Sequence, residues 1–393
     1  MNARTLYHSE AGLGITRHFM RVLYWTDWYL PSIGGVEVFS ARLLPALVRH
    51  GHQITVVAGH HRTGLPDVTA RDGVDVHRFW FHLALAANDV DRISELLAAV
   101  AALTRRVAPD LIHLNTLGPS VLFHLESSRR SGAPVLLTMH SPVPDDAART
   151  DTLCGRALRS ASWVNCNSHA VRRDLCRLLP ELADRSSVTY YGMDPPALAP
   201  APRPRAAPRI LGFGRLVTDK GFDVAVRAFA TVVRRLPSAR LVLAGEGAAR
   251  PELERLASAL GLAESVEFVG AVAPEDVPAL LDRASLVVVP SRWDEPFGLV
   301  ALEAALMARP VVATRVGGLV EVVENGTTGV VVDPDDPDAL AGAMLVLLED
   351  PATADRLGRA ARARAEARFG WDRCVAEYAG LYERSRNIGG QNA

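Results

Sequence analysis

The sequence predicts an α/β protein built from two doubly wound, parallel-sheet domains that face each other across a cleft. Three observations lead there: short apolar runs alternate with longer amphipathic ones, a proline-rich break interrupts the pattern near its middle, and 393 residues suffice for two full cores. The first series reads as strands at residues 21–25 and 53–58 around a helix at 36–49, and continues with strands at 110–114, 134–139 and 163–167. A first domain is therefore expected over residues 20–194. Residues 195–208 run Pro-Pro-Ala-Leu-Ala-Pro-Ala-Pro-Arg-Pro-Arg-Ala-Ala-Pro, which can neither continue a helix nor join a central strand, so they read as the linker. A second series, at 209–213, 240–244, 265–269, 286–289 and 311–313, predicts a second domain over 209–370. Helices at 352–368 and 371–384 follow, with residues 371–393 forming a closing helix and a frayed tail. Residues 1–19 read as a flexible extension without the apolar centre of a signal peptide.

Composition narrows the class. Hydrophobic residues make up 49% of the chain, charged residues 22%, and the formal net charge is −1, which suits a soluble enzyme and gives nucleic acid nothing to hold. The arginine pairs Arg129-Arg130 and Arg172-Arg173 allow at most weak peripheral membrane contact. No run approaches the roughly twenty apolar residues needed to span a bilayer. The four cysteines show neither Cys-x-x-Cys nor zinc-ligand spacing, so a reduced, cytoplasmic setting is expected.

Lys220 is the single lysine among 43 lysine and arginine residues. It lies in Gly212-Phe213-Gly214-Arg215-Leu216-Val217-Thr218-Asp219-Lys220-Gly221, where a strand should hand over to a helix. Such a glycine-punctuated turn exposes backbone N–H groups at a positive helix end and so attracts anions. Arg215 and Lys220 add two full charges. A second stretch, Ser291-Arg292-Trp293-Asp294-Glu295-Pro296-Phe297-Gly298-Leu299-Val300-Ala301-Leu302-Glu303, places Glu295 just past a strand. Pro296 suits the first turn of a helix, which would put Glu303 two turns in, on about the same face as Glu295. The loop N–H groups of Phe297, Gly298 and Leu299 are then available to a sugar or a phosphate.

This segment resembles the Glu, seven residues, Glu signature of retaining, nucleotide-sugar-dependent glycosyltransferases of the GT-B fold, and is most similar to glycosyltransferase family 4. The resemblance extends in order through Gly34-Gly35, His140 in Thr138-Met139-His140-Ser141, Asn167-Ser168, Gly214-Arg215-Leu216 with Lys220-Gly221, and Ala244-Gly245-Glu246-Gly247, spanning about residues 21–385. It implies two Rossmann-like domains, a nucleotide sugar donor, and a small-molecule or glycan acceptor. It also implies that Arg215 and Lys220 hold the donor diphosphate, Glu295 the hydroxyls of the transferred sugar, and Glu303 the ribose. Glu246 and the backbone near Val269 would line the nucleotide, and His140 would meet the sugar near the reacting carbon. Same-face attack, with no metal and no cofactor, is the mechanism implied. Gly34 and Gly35 allow close backbone approach to a ligand, or simply form a tight strand-to-helix turn. Trp28 and its aromatic neighbours Trp25, Tyr29 and Trp80-Phe81-His82 suggest a flat acceptor surface, with core packing as the alternative. Asp145 and Asp146 could hold a polyhydroxyl acceptor or belong to a solvated loop. Tyr190-Tyr191-Gly192-Met193-Asp194 departs from the family's Pro-Asn-Gly-Val-Asp, a change expected to leave the donor motifs untouched.

Two other functions share this fold class. Gly212-x-Gly214-x-x-Val217 lacks the third glycine of a dinucleotide fingerprint, and Lys220 is followed by Gly221 where a Walker loop needs Ser or Thr. A phosphorylase-like enzyme holding pyridoxal phosphate on Lys220 and a catalytically silent sugar-nucleotide-binding helper remain as alternatives. Oligomeric state is not encoded in any motif.

Overall fold

The computed structural model describes residues 19–389 apart from 33, 128–130 and 205. The expected flexible extension thus lies outside the described residues except for Phe19, as do Arg129 and Arg130. The chain divides into two units. Among the described residues the first comprises 19–167, 172–189 and 375–389, and the second 168–171 and 190–374.

The first unit carries β1 (Arg21–Thr26), β2 (Gln53–Gly59), β3 (Val68–Arg71), β4 (Val74–Phe79), β5 (Leu111–Leu114), β6 (Val135–Met139), β7 (Trp163–Cys166) and β8 (Ser186–Val188). Their order across one eight-stranded sheet is β3-β4-β2-β1-β5-β6-β7-β8. Strands β1, β5 and β6 are almost wholly buried on both faces, which is why they read as continuous apolar runs. One pair departs from the expected all-parallel sheet: β3 runs antiparallel to β4 at the edge. Asp72 and Gly73, at φ 52° and 80°, form the hairpin turn, an Asp-Gly step suited to two successive left-handed residues. The first unit switches winding direction between β1 and β5, so the loops after these strands open onto the crevice where sheets of this kind bind ligands.

The second unit carries β9 (Arg209–Phe213), β10 (Arg240–Ala244), β11 (Val266–Gly270), β12 (Leu286–Val289), β13 (Val311–Thr314) and β14 (Gly329–Val332), ordered β11-β10-β9-β12-β13-β14 with every pair parallel. Here the switch lies between β9 and β12. The helix Phe222–Arg235 covers the sheet with Phe222, Val226 and Phe229 buried, and the helix Pro337–Glu349 packs beside it through Leu340, Met344 and Leu347.

Two segments join their units through side chains rather than through regular structure. The described residues of 195–208 form no regular element but are pinned to the second unit. Buried Arg203 donates to Asp355 Oδ1 (2.7 Å) and to the carbonyls of Ser285 and Pro351 (both 3.1 Å), and buried Arg309 reaches Ala201 O (2.9 Å). The helix Trp371–Gly389 passes into the first unit from Val375 onward. There Tyr378 and Tyr382, one helical turn apart, are buried, and Tyr382 OH bonds His113 Nδ1 at 3.0 Å. The exit from the first unit falls at Thr189, ahead of the expected residue 194. Among the described residues no helix is long and apolar enough to cross a membrane.

Candidate active site

In the second unit the loops after β9 and β12 meet at the switch point. Gly214, just past β9, has φ +135°, and the chain passes Arg215 into a short 3-10 turn, Thr218–Lys220, before Gly221 at φ +66° starts the helix Phe222–Arg235. Gly221 has to be glycine on two counts: its φ is left-handed, and a Cβ there would lie 2.0 Å from Pro290 O. This close approach brings the Lys220 turn against the loop after β12. Arg292 ties the two together. Its backbone N–H donates to Asp219 O (2.9 Å), its Nη1 to Thr218 O (3.2 Å), its guanidinium grips Asp223 through two 2.6 Å bonds, and Nε bonds Asp335.

Within this frame Lys220 Nζ forms an ion pair with Glu295 Oε1, and Ser291 Oγ donates to the same oxygen at 2.8 Å. Glu295 is only 7% exposed. The ammonium also stands 5.6 Å above the centroid of the Trp293 ring, whose π-face favours a cation. Arg215, in contrast, is exposed and its side chain bonds no described residue.

The two glutamates do not share a helix face. The helix starts at Leu299, three residues past Pro296, with Gly298 as its N-cap at φ +107°, so Glu295 sits on the loop and only Glu303 on the helix. The reason is tertiary: Gly317 and Gly318 pack onto the loop so closely that their Cβ atoms would lie 2.2 Å from Glu295 O and 2.4 Å from Pro296 O, and Gly318 N donates to Glu295 O at 2.7 Å. Backbone groups held from outside cannot start a helix. The consequence for ligand binding is favourable, since the N–H groups of Phe297, Gly298 and Leu299 donate to no described residue and stand at a helix start. Burial pushes the Glu303 carboxyl up to about 7, so near neutrality it holds its proton part of the time and can donate as well as accept.

The Phe297 ring is not itself exposed. It is 2% exposed and packs on Tyr190, Tyr191 and Phe369 with centroids 5.8, 5.4 and 5.6 Å away. The departure at Tyr190-Tyr191 therefore does touch a donor motif, because those two rings support its loop. Tyr190 OH in turn donates to Glu321 Oε2 (2.8 Å), and burial pushes its pKa up to about 12. Glu246 pairs with Arg250, with its side chain half exposed, and Val269 is exposed on edge strand β11.

In the first unit His140 follows β6 and is half-buried. Its Nε2 donates to Asn115 Oδ1 (2.8 Å), Asn115 Nδ2 to Ser40 Oγ (3.2 Å), and Ser40 shares a 2.7 Å bond with buried Tyr24 OH. Burial pushes the His140 pKa down to about 3, so the ring is neutral at physiological pH. Gly34 caps the helix Gly35–Arg49 in an extended conformation and Gly35 is that helix's first residue, so this pair forms a strand-to-helix turn. Trp28 is half-buried and stacks on His82, whereas Trp25, Tyr29 and Phe81 belong to the core, which corrects the expected aromatic surface at those three positions. Asp145 and Asp146 lie exposed on a 3-10 turn, joined to His140 by no described bond. Ser291, Arg292, Gly317-Gly318 and Asn115 were not singled out from sequence. Gly317-Gly318 after the apolar run 311–313 was the signal available for one of them.

Comparison with known proteins follows the same outline. Residues 33–196 match Glycosyltransferase Family 4 and residues 199–364 match Glycosyl transferases group 1. Alpha-D-kanosaminyltransferase of Streptomyces kanamyceticus is 31% identical over 299 residues, covering 70% of this chain and 76% of that protein. A D-inositol 3-phosphate glycosyltransferase of Arthrobacter sp. (strain FB24) is 31% identical over 376 residues, 87% of this chain and 88% of its own length. Among solved structures, sucrose-phosphate synthase from Thermosynechococcus elongatus superposes with a TM-score of 0.77 at 24% identity, over 92% of this chain and 98% of that one. Two parallel-sheet units with loops converging at the switch points define a GT-B glycosyltransferase. The chain belongs to glycosyltransferase family 4.

Proposed function

We propose that this glycosyltransferase moves a sugar from a nucleotide-diphosphate sugar to an acceptor hydroxyl with retention of configuration at the anomeric carbon. The observation that carries the proposal is the Lys220–Glu295 pair, set at the switch point beside the exposed, unpaired Arg215 and three available backbone N–H groups. An anion-binding loop next to a fixed carboxylate suits a ligand with a phosphate end and a hydroxyl-rich end. In this reading Lys220 and Arg215 face the diphosphate and neutralise the charge that grows as the anomeric C–O bond breaks, with no metal required. Glu295, its Oε1 already engaged by Lys220 and Ser291, acts as a rigid acceptor for sugar hydroxyls through its other oxygen. A carboxylate so occupied is poorly suited to be the covalent nucleophile of a double displacement. Same-face attack follows: the acceptor oxygen bonds the anomeric carbon, the leaving phosphate oxygen departs with the electron pair, and the acceptor proton passes to that phosphate.

Glu303, able to donate at neutral pH, suits the ribose hydroxyls. Glu246 and the Val269 strand edge suit the nucleoside, and His140 serves as a neutral hydrogen-bond partner for sugar hydroxyls. The ion pair also weighs against a Schiff base on Lys220, because an ammonium held by a carboxylate is no nucleophile. Thermal-shift screening against UDP, GDP, ADP, TDP and their sugars tests the donor, since a ligand of the native state raises the melting point by linkage. NMR of the product's anomeric proton tests retention, and activity in a chelator tests metal independence. Failure of every nucleotide to raise the melting point, or an inverted product, overturns the corresponding part.

A further inference from the structure

A second constructed site stands at the switch point of the first unit. Asp27, just past β1, is 7% exposed and held on both oxygens: Ser120 N donates to Oδ1 (3.1 Å) and Thr116 Oγ1 to Oδ2 (3.2 Å). Its Oδ1 also faces His82 Nε2 at 3.6 Å. That nitrogen is enclosed and has no hydrogen-bond partner. Glycines make room for the pair. A Cβ on Gly118 would lie 1.4 Å from Asp27 Oδ2, and one on Gly59 would lie 2.4 Å from Asp27 O and 3.2 Å from His82 Cδ2. The imidazole plane is fixed by Trp28, stacked on it at 4.4 Å with 11° between the rings. Backbone and side chains from the ends of β1, β2, β4 and β5 thus converge on one carboxylate–imidazole pair that the donor chemistry does not use.

The orientation of the ring gives the pair a direction. Nε2 and Cδ2 face inward toward Gly59 and Asp27, so Nδ1 occupies the opposite edge of a side chain that is 28% exposed as a whole. The Asp27 carboxylate 3.6 Å from Nε2 is too far for a hydrogen bond, but its charge favours an N–H dipole over a lone pair on that nitrogen, which leaves Nδ1 as the acceptor. We propose that Nδ1 of His82, a ring stacked on Trp28 with its Nε2 edge facing Asp27, accepts a hydrogen bond from a hydroxyl of a polyhydroxyl acceptor, with Asp27 as the positioning residue. This rests on the glycosyl-transfer reading above and names a binding group for its second substrate. No proton leaves the acceptor here; the contact only orients it.

The test uses the full chain labelled with 15N-histidine, with D-glucose and myo-inositol as probes and the His82 resonances assigned by their loss in His82→Asn. The expected result is an Nε2–H tautomer in the unliganded protein and a shift of Nδ1 as a probe is added. Asp27→Asn should lose the tautomer preference. His82→Phe should weaken probe binding about tenfold, the scale of one hydrogen bond to a strongly polar group. His82→Asn, whose side-chain oxygen falls near the Nδ1 position, should keep most of the affinity. Nucleotide-induced melting shifts should stay unchanged in all three variants. An Nδ1 resonance that neither probe moves in protein that still binds nucleotide overturns the proposal, and so does His82→Phe binding the probes as wild type does. Nucleotides that bind nowhere while the probes still shift His82 would instead refute the donor reading alone.

Discussion

Replacing Lys220 by methionine removes the cation from a pair whose other half is almost enclosed. Glu295, 7% exposed, would be left with Ser291 Oγ as its remaining described side-chain partner. Stranding a buried charge typically costs about 3–5 kcal/mol, and the retained serine bond together with the 20% exposure on the lysine side places this case at about 2–3 kcal/mol. For a unit of this size that lowers the melting temperature by roughly 5–10 °C. Glu295→Gln in the same chain removes the stranded charge, so the double variant should regain most of the loss, with a coupling of about 2 kcal/mol. Activity behaves differently. Each single change and the double should lower kcat by about two to three orders of magnitude, because stability can be restored without restoring the charge at the leaving group. Urea unfolding of all four proteins, followed in the absence of nucleotide, measures the cycle. Additivity within about 0.5 kcal/mol would show that the pair does not form, and near-normal turnover in Lys220→Met would remove it from the diphosphate site.

Other predictions follow from neighbouring groups. Arg292→Met should loosen the Lys220 turn, costing about 1–2 kcal/mol and at least about tenfold in kcat, and Arg292→Lys should not restore either, since an ammonium cannot make the two-pronged bond to Asp223. An active Arg292→Lys variant would refute that geometry. Glu303 holds its proton to about pH 7 in the folded chain and releases it near 4.5 when unfolded, so its contribution to stability falls as pH rises between those values. The melting temperature of Glu303→Gln relative to wild type should accordingly rise across that window; parallel profiles would show the carboxyl to be solvated. His124 has the opposite sign: burial pushes its pKa down to about 4, so the unfolded chain takes up the proton first and stability is lost as pH falls from about 6.5 toward 4. His124→Phe keeps an aromatic ring against Trp25 and should gain on wild type as pH drops, in melting curves between pH 7 and 4.5. A difference independent of pH would contradict the burial argument.

Much of the fold was legible because its cause is local. Parallel strands buried on both faces write themselves as short apolar runs, and β1, β2, β9, β10 and β12 begin at the predicted residues and end within one of them. Strands β3, β4, β8 and β14 were not read. Edge strand β3 has no buried position, β4 beside it alternates buried with more exposed ones, β8 is only three residues long, and β14 begins with a glycine. The donor loop shows the same division. Spacing alone suggested that Glu295 and Glu303 share a helix, but Gly317 and Gly318, more than a dozen residues away, fix the loop backbone and move the helix start to Leu299.

The sequence by itself determined the two-sheet architecture, the placement of Arg215, Lys220 and Glu295 at strand ends, and the family, since all of these follow from periodicity and ordered motifs. Tertiary structure decided the rest. It paired Lys220 with Glu295, set Phe297 on the two tyrosines that depart from the family pattern, and brought Asp27 to His82 from separate strands. The physical reason is that a hydrogen bond, an ion pair or a glycine's close approach depends on which strands lie side by side, and strand order is a property of the folded sheet rather than of any stretch of chain.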